Sequence, residues 1–397
     1  MSEPTAPHPR SPAAAELPPD DVLRDVFLRL PPEPGHLLAA SLVCRHWRLL
    51  VRDPAFLRRF RAFHRTPPVL GFFENTWSLR RLPSGPSATD HRRSTRFVPT
   101  AVPVARLARP EPEPTGWVLD CRHGRVLLFS QAEQALRVWD PMVGDTHHVA
   151  CPPASQGWDV DFAAALVCAA GHDDHTDCRS STFQIVFLDA SWGDGFLVSV
   201  CIYSSEAGAW GDWVEITSLS PVGLEAATLV GDSLYWQTNF TEEGCYHILE
   251  LELPTQRLDF IELPEGVKET YLSDIRIMPA EDGGIGFAGV NESKIHFWSR
   301  TTDHHGVSGW VLTRIIDMDK FTLSGLPTGD ILLWSSVVGF AEDSDELFLQ
   351  SESGIFMINI RSMQLSKVAE ASGADIYPYT SFYTRGRDIP GIDDRDE

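Results

Sequence analysis

From residue 117 to residue 368 the chain repeats one pattern on a period of about fifty residues: four short apolar and β-branched runs separated by turn signals. Runs this short and this evenly punctuated suit strands, and no amphipathic helical stripe of useful length interrupts them. The first set comprises residues 117–119, 125–129, 136–139 and 146–150, with His123-Gly124 and Asp140-Pro141 as turns. The second is 162–168, 183–188, 196–203 and 213–217; the third is 226–230, 233–237, 246–251 and 257–263. The fourth is 272–278, 285–290, 294–299 and 310–316, and the fifth is 335–341, 346–350, 355–360 and 364–368. Four-stranded units at this spacing predict a β-propeller, one blade per unit. Runs at 68–73 and 96–99 precede the first set, and 376–384 follows the last. Together they complete a sixth blade in which the C-terminal strand pairs with N-terminal ones, so that the ring has no open end. The predicted class is mainly β, a short three-helix module followed by a six-bladed β-propeller.

The helical module is read from residues 17–64. Val22, Leu23, Val26, Phe27 and Leu30 form an apolar stripe at helical spacing, with Asp20 and Asp21 where a helix N-terminus favours negative charge. Pro31-Pro32 and Pro34-Gly35 end that helix. Leu37, Leu38 and Leu42 begin a second, and Val43, Cys44, Trp47, Leu50 and Val51 mark a third that Asp53-Pro54 closes. Three short helices cannot bury all of these side chains among themselves, which predicts an apolar face for a partner.

The order of parts, Leu17-Pro18, Asp21-Val22-Leu23, Leu30-Pro31, Val43-Cys44-Arg45-His46-Trp47-Arg48 and Asp53-Pro54-Ala55-Phe56, resembles the F-box. The F-box attaches substrate receptors to the Skp-family adaptor of cullin-RING (SCF) ubiquitin ligases. The resemblance implies a Skp-family adaptor and, through it, a cullin as partners. It also implies an adaptor-binding set of Leu17, Pro18, Val22, Leu23, Phe27, Leu30, Val43, Cys44 and Trp47, some of which hold the helices together instead. Leu-Arg-Val-Trp-Asp-Pro at 136–141 and the Tyr-rich IYPYTSFYT at 376–384 are similar to the F-box-associated propeller of plant F-box proteins. The implied layout is a disordered tail over 1–15, an F-box over 16–64, a propeller-like substrate-recognition domain over 65–385 and an acidic tail over 386–397.

Charge is divided unevenly. Residues 1–110 hold 17 Arg, no Lys and 9 acidic residues, about +8, whereas the remainder carries about −30 of the total −22. An acidic body disfavours nucleic acid as the direct partner and suits a basic protein client. Seven cysteines are scattered without CxxC spacing, which reads as reduced intracellular thiols. The Pro/Ala-rich start lacks the apolar core of a signal peptide and no run approaches a membrane span, so cytoplasm, nucleus or both are expected and the sequons at Asn239 and Asn291 unused.

Motifs with chemical meaning are few. Gly231-Asp232-Ser233-Leu234 spells an esterase signature, yet strand-like runs flank it, so Gly231-Asp232 reads as a hairpin turn. His172 and Cys178 lie in an eight-residue polar stretch that falls short of a four-ligand zinc site, and His147-His148 and Asp303-His304-His305 read as hairpin polar residues. Gly283-Gly284-Ile285-Gly286 lacks the helix a phosphate cradle requires. Arg80-Arg81 and Arg92-Arg93, near Trp77, make a basic loop, and Trp158, Trp192 and Trp210 sit beside turns as blade-packing residues. The sequence reading is therefore an SCF substrate receptor that does no chemistry and uses no cofactor or metal, with the client site unassigned. The alternatives are a propeller enzyme (esterase or glycosidase) with a helical cap, and a propeller scaffold that works without the adaptor.

Overall fold

Each repeat folds as one antiparallel sheet, and six sheets stand in a ring. The computed structural model describes residues 18–81, 89–100, 116–142, 144–153, 162–169, 182–192, 196–218, 220–223, 225–238, 247–267, 270, 275–321, 336–342, 344–370 and 375–382. Both predicted tails lie outside them.

The N-terminal module has four helices, α1 (Asp20–Leu28), α2 (Pro34–Val43), α3 (Arg45–Arg52) and α4 (Pro54–His64), rather than the three expected. The Asp53-Pro54 step that ends α3 also starts α4. Pro54 occupies a first-turn position where a missing N–H costs nothing, and the Asp53 side chain accepts a hydrogen bond from the Ala55 N–H at 3.0 Å.

Blade one begins with β1 (Val69–Arg81) and β2 (Thr89–Pro99). Blade two is β3 (Trp117–Arg122), β4 (Arg125–Ser130), β5 (Ala135–Trp139) and β6 (Thr146–Ala150). Blade three is β7 (Phe162–Cys168), β8 (Phe183–Trp192) and β9 (Phe196–Ser204), with β10 (Ala209–Trp210) and β11 (Val214–Ser218) both paired to β9. The expected strand over 213–217 is thus preceded by a short extra one. Blade four is β12 (Thr228–Val230), β13 (Ser233–Gln237), β14 (His247–Glu252) and β15 (Arg257–Glu262). Blade five is β16 (Ile275–Pro279), β17 (Ile285–Asn291), β18 (Lys294–Thr302) and β19 (Ser308–Asp317), and blade six is β20 (Ser336–Ala341), β21 (Glu346–Ser351), β22 (Gly354–Asn359) and β23 (Gln364–Ala369).

β24 (Asp375–Thr380) returns to blade one and pairs antiparallel with β1, Phe72 opposite Pro378 and Asn75 opposite Asp375. It forms the inner strand there, flanked by β20 of blade six and β3 of blade two. The closing blade is therefore the one the sequence predicts, though its last strand stops at Thr380. Beyond it Phe382 leaves the sheet and enters the core of the helical module, its ring centroid 6.5 Å from that of Phe60.

Local sequence explains the hairpins. His123 and Gly124 both take left-handed φ, 53° and 73°, as the tightest two-residue loop between twisted strands requires. Alternating side chains of adjacent blades interlock. Phe72 of blade one meets Phe348 of blade six at 5.7 Å, and Trp117 of blade two stacks on Phe162 of blade three at 6.1 Å.

Polar groups clamp the inner ends of the blades. Arg122, at the end of β3, is almost fully buried and uses all five of its N–H donors. Nε and Nη2 reach the Glu342 carboxylate at 2.7 and 2.8 Å; Nη1 reaches Asp120 Oδ2 at 2.7 Å and the Leu166 carbonyl at 3.0 Å; Nη2 also reaches the Ala227 carbonyl at 2.8 Å. The carboxylates accept backbone N–H groups in turn, Asp120 from Leu166 at 2.7 Å and Glu342 from Leu229 at 2.9 Å. One guanidinium thus ties blades two, three, four and six. Asn75 hydrogen-bonds both the N–H and the carbonyl of Val118 to join blades one and two, Thr228 joins four to five through the Ile277 carbonyl, and Arg276 joins five to six through the Val338 carbonyl.

Burial pushes the Asp120 carboxyl up to about 6, against the opposing pull of Arg122 and with a smaller push from Glu342. Replacing Arg122 by Met would leave the buried Asp120 carboxylate facing the partly buried Glu342 with no cation between them. Arg122→Met is therefore expected to destabilise the propeller by on the order of 3–5 kcal/mol in thermal or denaturant unfolding, and a melting curve like that of the parent would contradict the clamp. The sign of the pH effect follows from the raised value. The folded state holds the Asp120 proton more tightly than an unfolded chain, where the group titrates near about 4. This group's contribution to stability is thus present at low pH and lost as pH rises through about 6. Asp120→Asn should flatten the pH dependence of unfolding between about 4 and 6; an unchanged slope would assign that dependence elsewhere.

Candidate functional site

The helical module shows two apolar populations where its sequence shows one. Leu23 and Phe27, one turn apart on α1, are 3% and 2% exposed and pack with Leu37, Leu50, Phe56, Leu57 and Phe60. Their neighbours one position earlier, Val22 and Val26, face out, as do Leu42, Val43 and Leu49, the last two 61% and 62% exposed. An α-helix turns about 100° per residue, so a stripe that includes both 22/26 and 23/27 is wider than one core can cover.

The remaining predicted residues fall between these groups. Trp47 is half-buried with its ring 4.9 Å from Phe27, edge to face, and Leu30 packs beside it against the same core. Cys44 caps α3, its Sγ accepting the Trp47 N–H at 3.4 Å. Pro18 is exposed, and Leu17 lies outside the described residues. His46 Nε2 lies 2.8 Å from Asp20 Oδ1, which holds the start of α3 to the start of α1. Val22 and Val43 therefore belong to the same end of the module, around one corner formed by α1, α2 and α3. Val26, Leu42 and Leu49 were not singled out from the sequence as adaptor residues, although Val26 and Leu42 stood in the helical stripes.

The sequence motifs with catalytic associations resolve locally. Val230 pairs with Ser233 across Gly231-Asp232, and Gly231 takes φ 58° at the position where a two-residue hairpin loop accepts glycine. Ser233 is buried beside Tyr235, to whose hydroxyl it is hydrogen-bonded, and Tyr235 donates in turn to Glu250 at 2.8 Å. A nucleophile needs a base in that place, and a buried phenol pushed up to about 12 is not one. His147 and His148 lie exposed on β6, and Asp303 to His305 form the β18–β19 turn, where the Asp303 carboxylate accepts two backbone N–H groups at 2.9 Å. Gly283 sits in the β16–β17 turn with φ 82°.

Arg80, Arg81, Arg92 and Arg93 belong to a long β1–β2 hairpin rather than to a loop, with Trp77 opposite Arg93. The His172–Cys178 stretch and Trp158 lie outside the described residues. Among the described residues, no group of three or more His, Cys, Asp or Glu is placed to hold a metal ion, and no helix is long and apolar enough to cross a membrane.

Two openings lined by described residues bear on the site. One, of about 40 Å³, lies at the axis beside Asp120, Arg122, Arg276 and Tyr377 and has room for little beyond water. The other, of about 620 Å³, is a cleft between blades five and six that runs from Glu342 near the axis to Arg314 and Arg361 at the perimeter over a floor containing Phe287, Phe297 and Phe340. Its size falls in the usual range for ligand pockets.

Residues 117–383 match the family model described as F-box protein AT5G49610-like, beta-propeller, and residues 17–62 match the F-box-like model. A search of curated protein sequences returns no match. Among solved structures, a streptogramin B lyase is 13% identical, with 76% of this chain and 88% of the lyase covered at a TM-score of 0.34. The pyrroloquinoline-quinone-bound aldose sugar dehydrogenase of Streptomyces coelicolor is 10% identical, covering 79% and 86% at 0.33, and a chain of the mitotic checkpoint complex is 11% identical, covering 69% and 82% at 0.34. Similarity at that level supports no inference about activity.

Proposed function

Because the chain belongs to the F-box protein AT5G49610-like β-propeller family, we propose that it is the substrate-recognition subunit of an SCF-type E3 ubiquitin ligase. The F-box takes the Skp-family adaptor and through it the cullin; the propeller takes a protein client in the cytoplasm or nucleus. The chain performs no bond chemistry. Its contribution is to hold a client lysine near a ubiquitin-loaded enzyme, which converts an encounter between free molecules into one within a complex.

The observation that carries this reading is the exposed apolar corner of the helical module. Val22, Val26, Leu42, Val43 and Leu49 are more apolar surface than a module of about fifty residues leaves in water without a use. We assign the adaptor contact to these side chains together with Pro18. Leu23 and Phe27, which the sequence placed in the contact set, serve the module's own core, and Trp47 spans the two roles.

Co-expression with a Skp-family adaptor tests the assignment. The parent chain should co-purify one to one. Val43→Asp and Leu49→Asp should each weaken the complex by on the order of 2 kcal/mol while leaving the melting of the chain nearly unchanged. Trp47→Ala should lower both, because it removes a ring packed on Phe27. Undiminished co-purification of the Val43→Asp/Leu49→Asp double variant would overturn the assignment.

A further inference from the structure

β19, the outermost strand of blade five, differs from the outer strands of its neighbours. β6 exposes Thr146, His147 and His148; β15 exposes Arg257, Asp259 and Glu262; β23 exposes Gln364, Ser366 and Lys367. Polar and charged side chains of this kind are how sheet edges avoid pairing with other chains. β19 instead exposes Val311 (48%), Leu312 and Ile315 (51%), with Val307 in the turn before it. Among the described residues its outer backbone edge pairs with nothing, since β18 occupies the other side. It is also long, ten residues, where β15 and β23 have six.

The strand borders the cleft between blades five and six, whose wall includes Thr313 and Arg314. The register shift in the β18–β19 ladder lies at Phe297/Trp298, opposite Thr313. It places Arg314 across from Phe297, with its guanidinium over that ring and 3.5 Å from the Met363 sulfur of blade six. A segment laid along β19 would therefore find backbone donors and acceptors on the strand, apolar contacts at Leu312 and Ile315 on one face, and on the other, where Val311 and Arg314 stand, a cleft toward blade six whose lining includes Glu281, Glu342 and Asp345.

Charge selects the kind of segment. Residues 228–317, which span blades four and five, carry fifteen acidic and six basic side chains, within a body of about −30. We propose that the edge of β19 is the client-docking surface, and that it takes an extended segment of a protein client with apolar and basic residues in alternation, added to blade five as a further strand. Main-chain pairing supplies affinity there and alternate side chains supply selection. This deepens the substrate-receptor reading and rests on it.

The probe is a fluorescein-labelled dodecapeptide of alternating Lys and Val, titrated by fluorescence anisotropy against the full-length chain, with the Glu/Val dodecapeptide as its opposite in charge. The Lys/Val peptide should bind, and bind more tightly than the Glu/Val peptide. Val311→Lys/Ile315→Lys should weaken it by about tenfold or more, and Val311→Thr/Ile315→Thr, which keeps a strand-forming edge, by less. Gln364→Lys/Ser366→Lys on β23 adds the same charge to blade six and should leave binding as it was. Equal loss from the β23 pair, preference for the Glu/Val peptide, or no binding by the parent chain would each overturn the proposal. So would concentration-dependent dimers in sedimentation that the Val311→Lys/Ile315→Lys pair abolishes, since the edge would then serve a second copy. Adaptor co-purification of the same variants keeps the two readings apart: it should be unchanged whichever way the peptide result falls.

Discussion

A single guanidinium near the axis holds the ring in register. Six sheets that touch through side-chain faces have nothing in the apolar contact itself to fix how far each blade slides along its neighbour, because burial is non-directional. Arg122 supplies direction. Its five N–H groups meet Asp120, Glu342 and two backbone carbonyls from four blades, and the same two carboxylates bind N–H groups of blades three and four. The cost of removing Arg122 and Asp120 from water, and Glu342 in part, is offset only because every donor is used, which also makes the arrangement intolerant of partial loss.

The C-terminal segment is shared between the two parts of the molecule. β24 completes blade one from the inside, with Tyr379 donating from its hydroxyl to the Gly124 carbonyl at 3.0 Å, and three residues later Phe382 fills the helical core beside Phe60. The strand that closes the propeller is thus also what seats the F-box on it. For the substrate receptor proposed above, which would act by placing a client relative to a distant enzyme, such a shared segment has functional value, since a loose joint would spread the client over many orientations.

Much of this architecture was legible in the sequence. Periodic strands, turn pairs such as His123-Gly124 and Gly231-Asp232, and spare strands, two before the first set and one after the last, were enough for six blades and their closure, since each is a local signal. The clamp was not legible. Arg122 stands beside a turn like any solvated arginine, and its main partner, Glu342, is 220 residues away. The division of the F-box stripe was hidden for a related reason: Val22 and Leu23 are neighbours of equal character, and only the packing of α4 and Phe382 decides which of them turns inward. The fourth helix was missed because Asp53-Pro54 reads as a stop, whereas an Asp-Pro step serves a following helix equally well as a start.

Amide hydrogen exchange of the full chain, free and saturated with a Skp-family adaptor, measures the central claim most directly. If the helical corner is the adaptor surface and the propeller is left free for a client, exchange should slow in α1, α2 and α3 while the strands of all six blades, β19 included, exchange as before. Protection that appears along blade strands and leaves α1 to α3 unaltered would contradict the account.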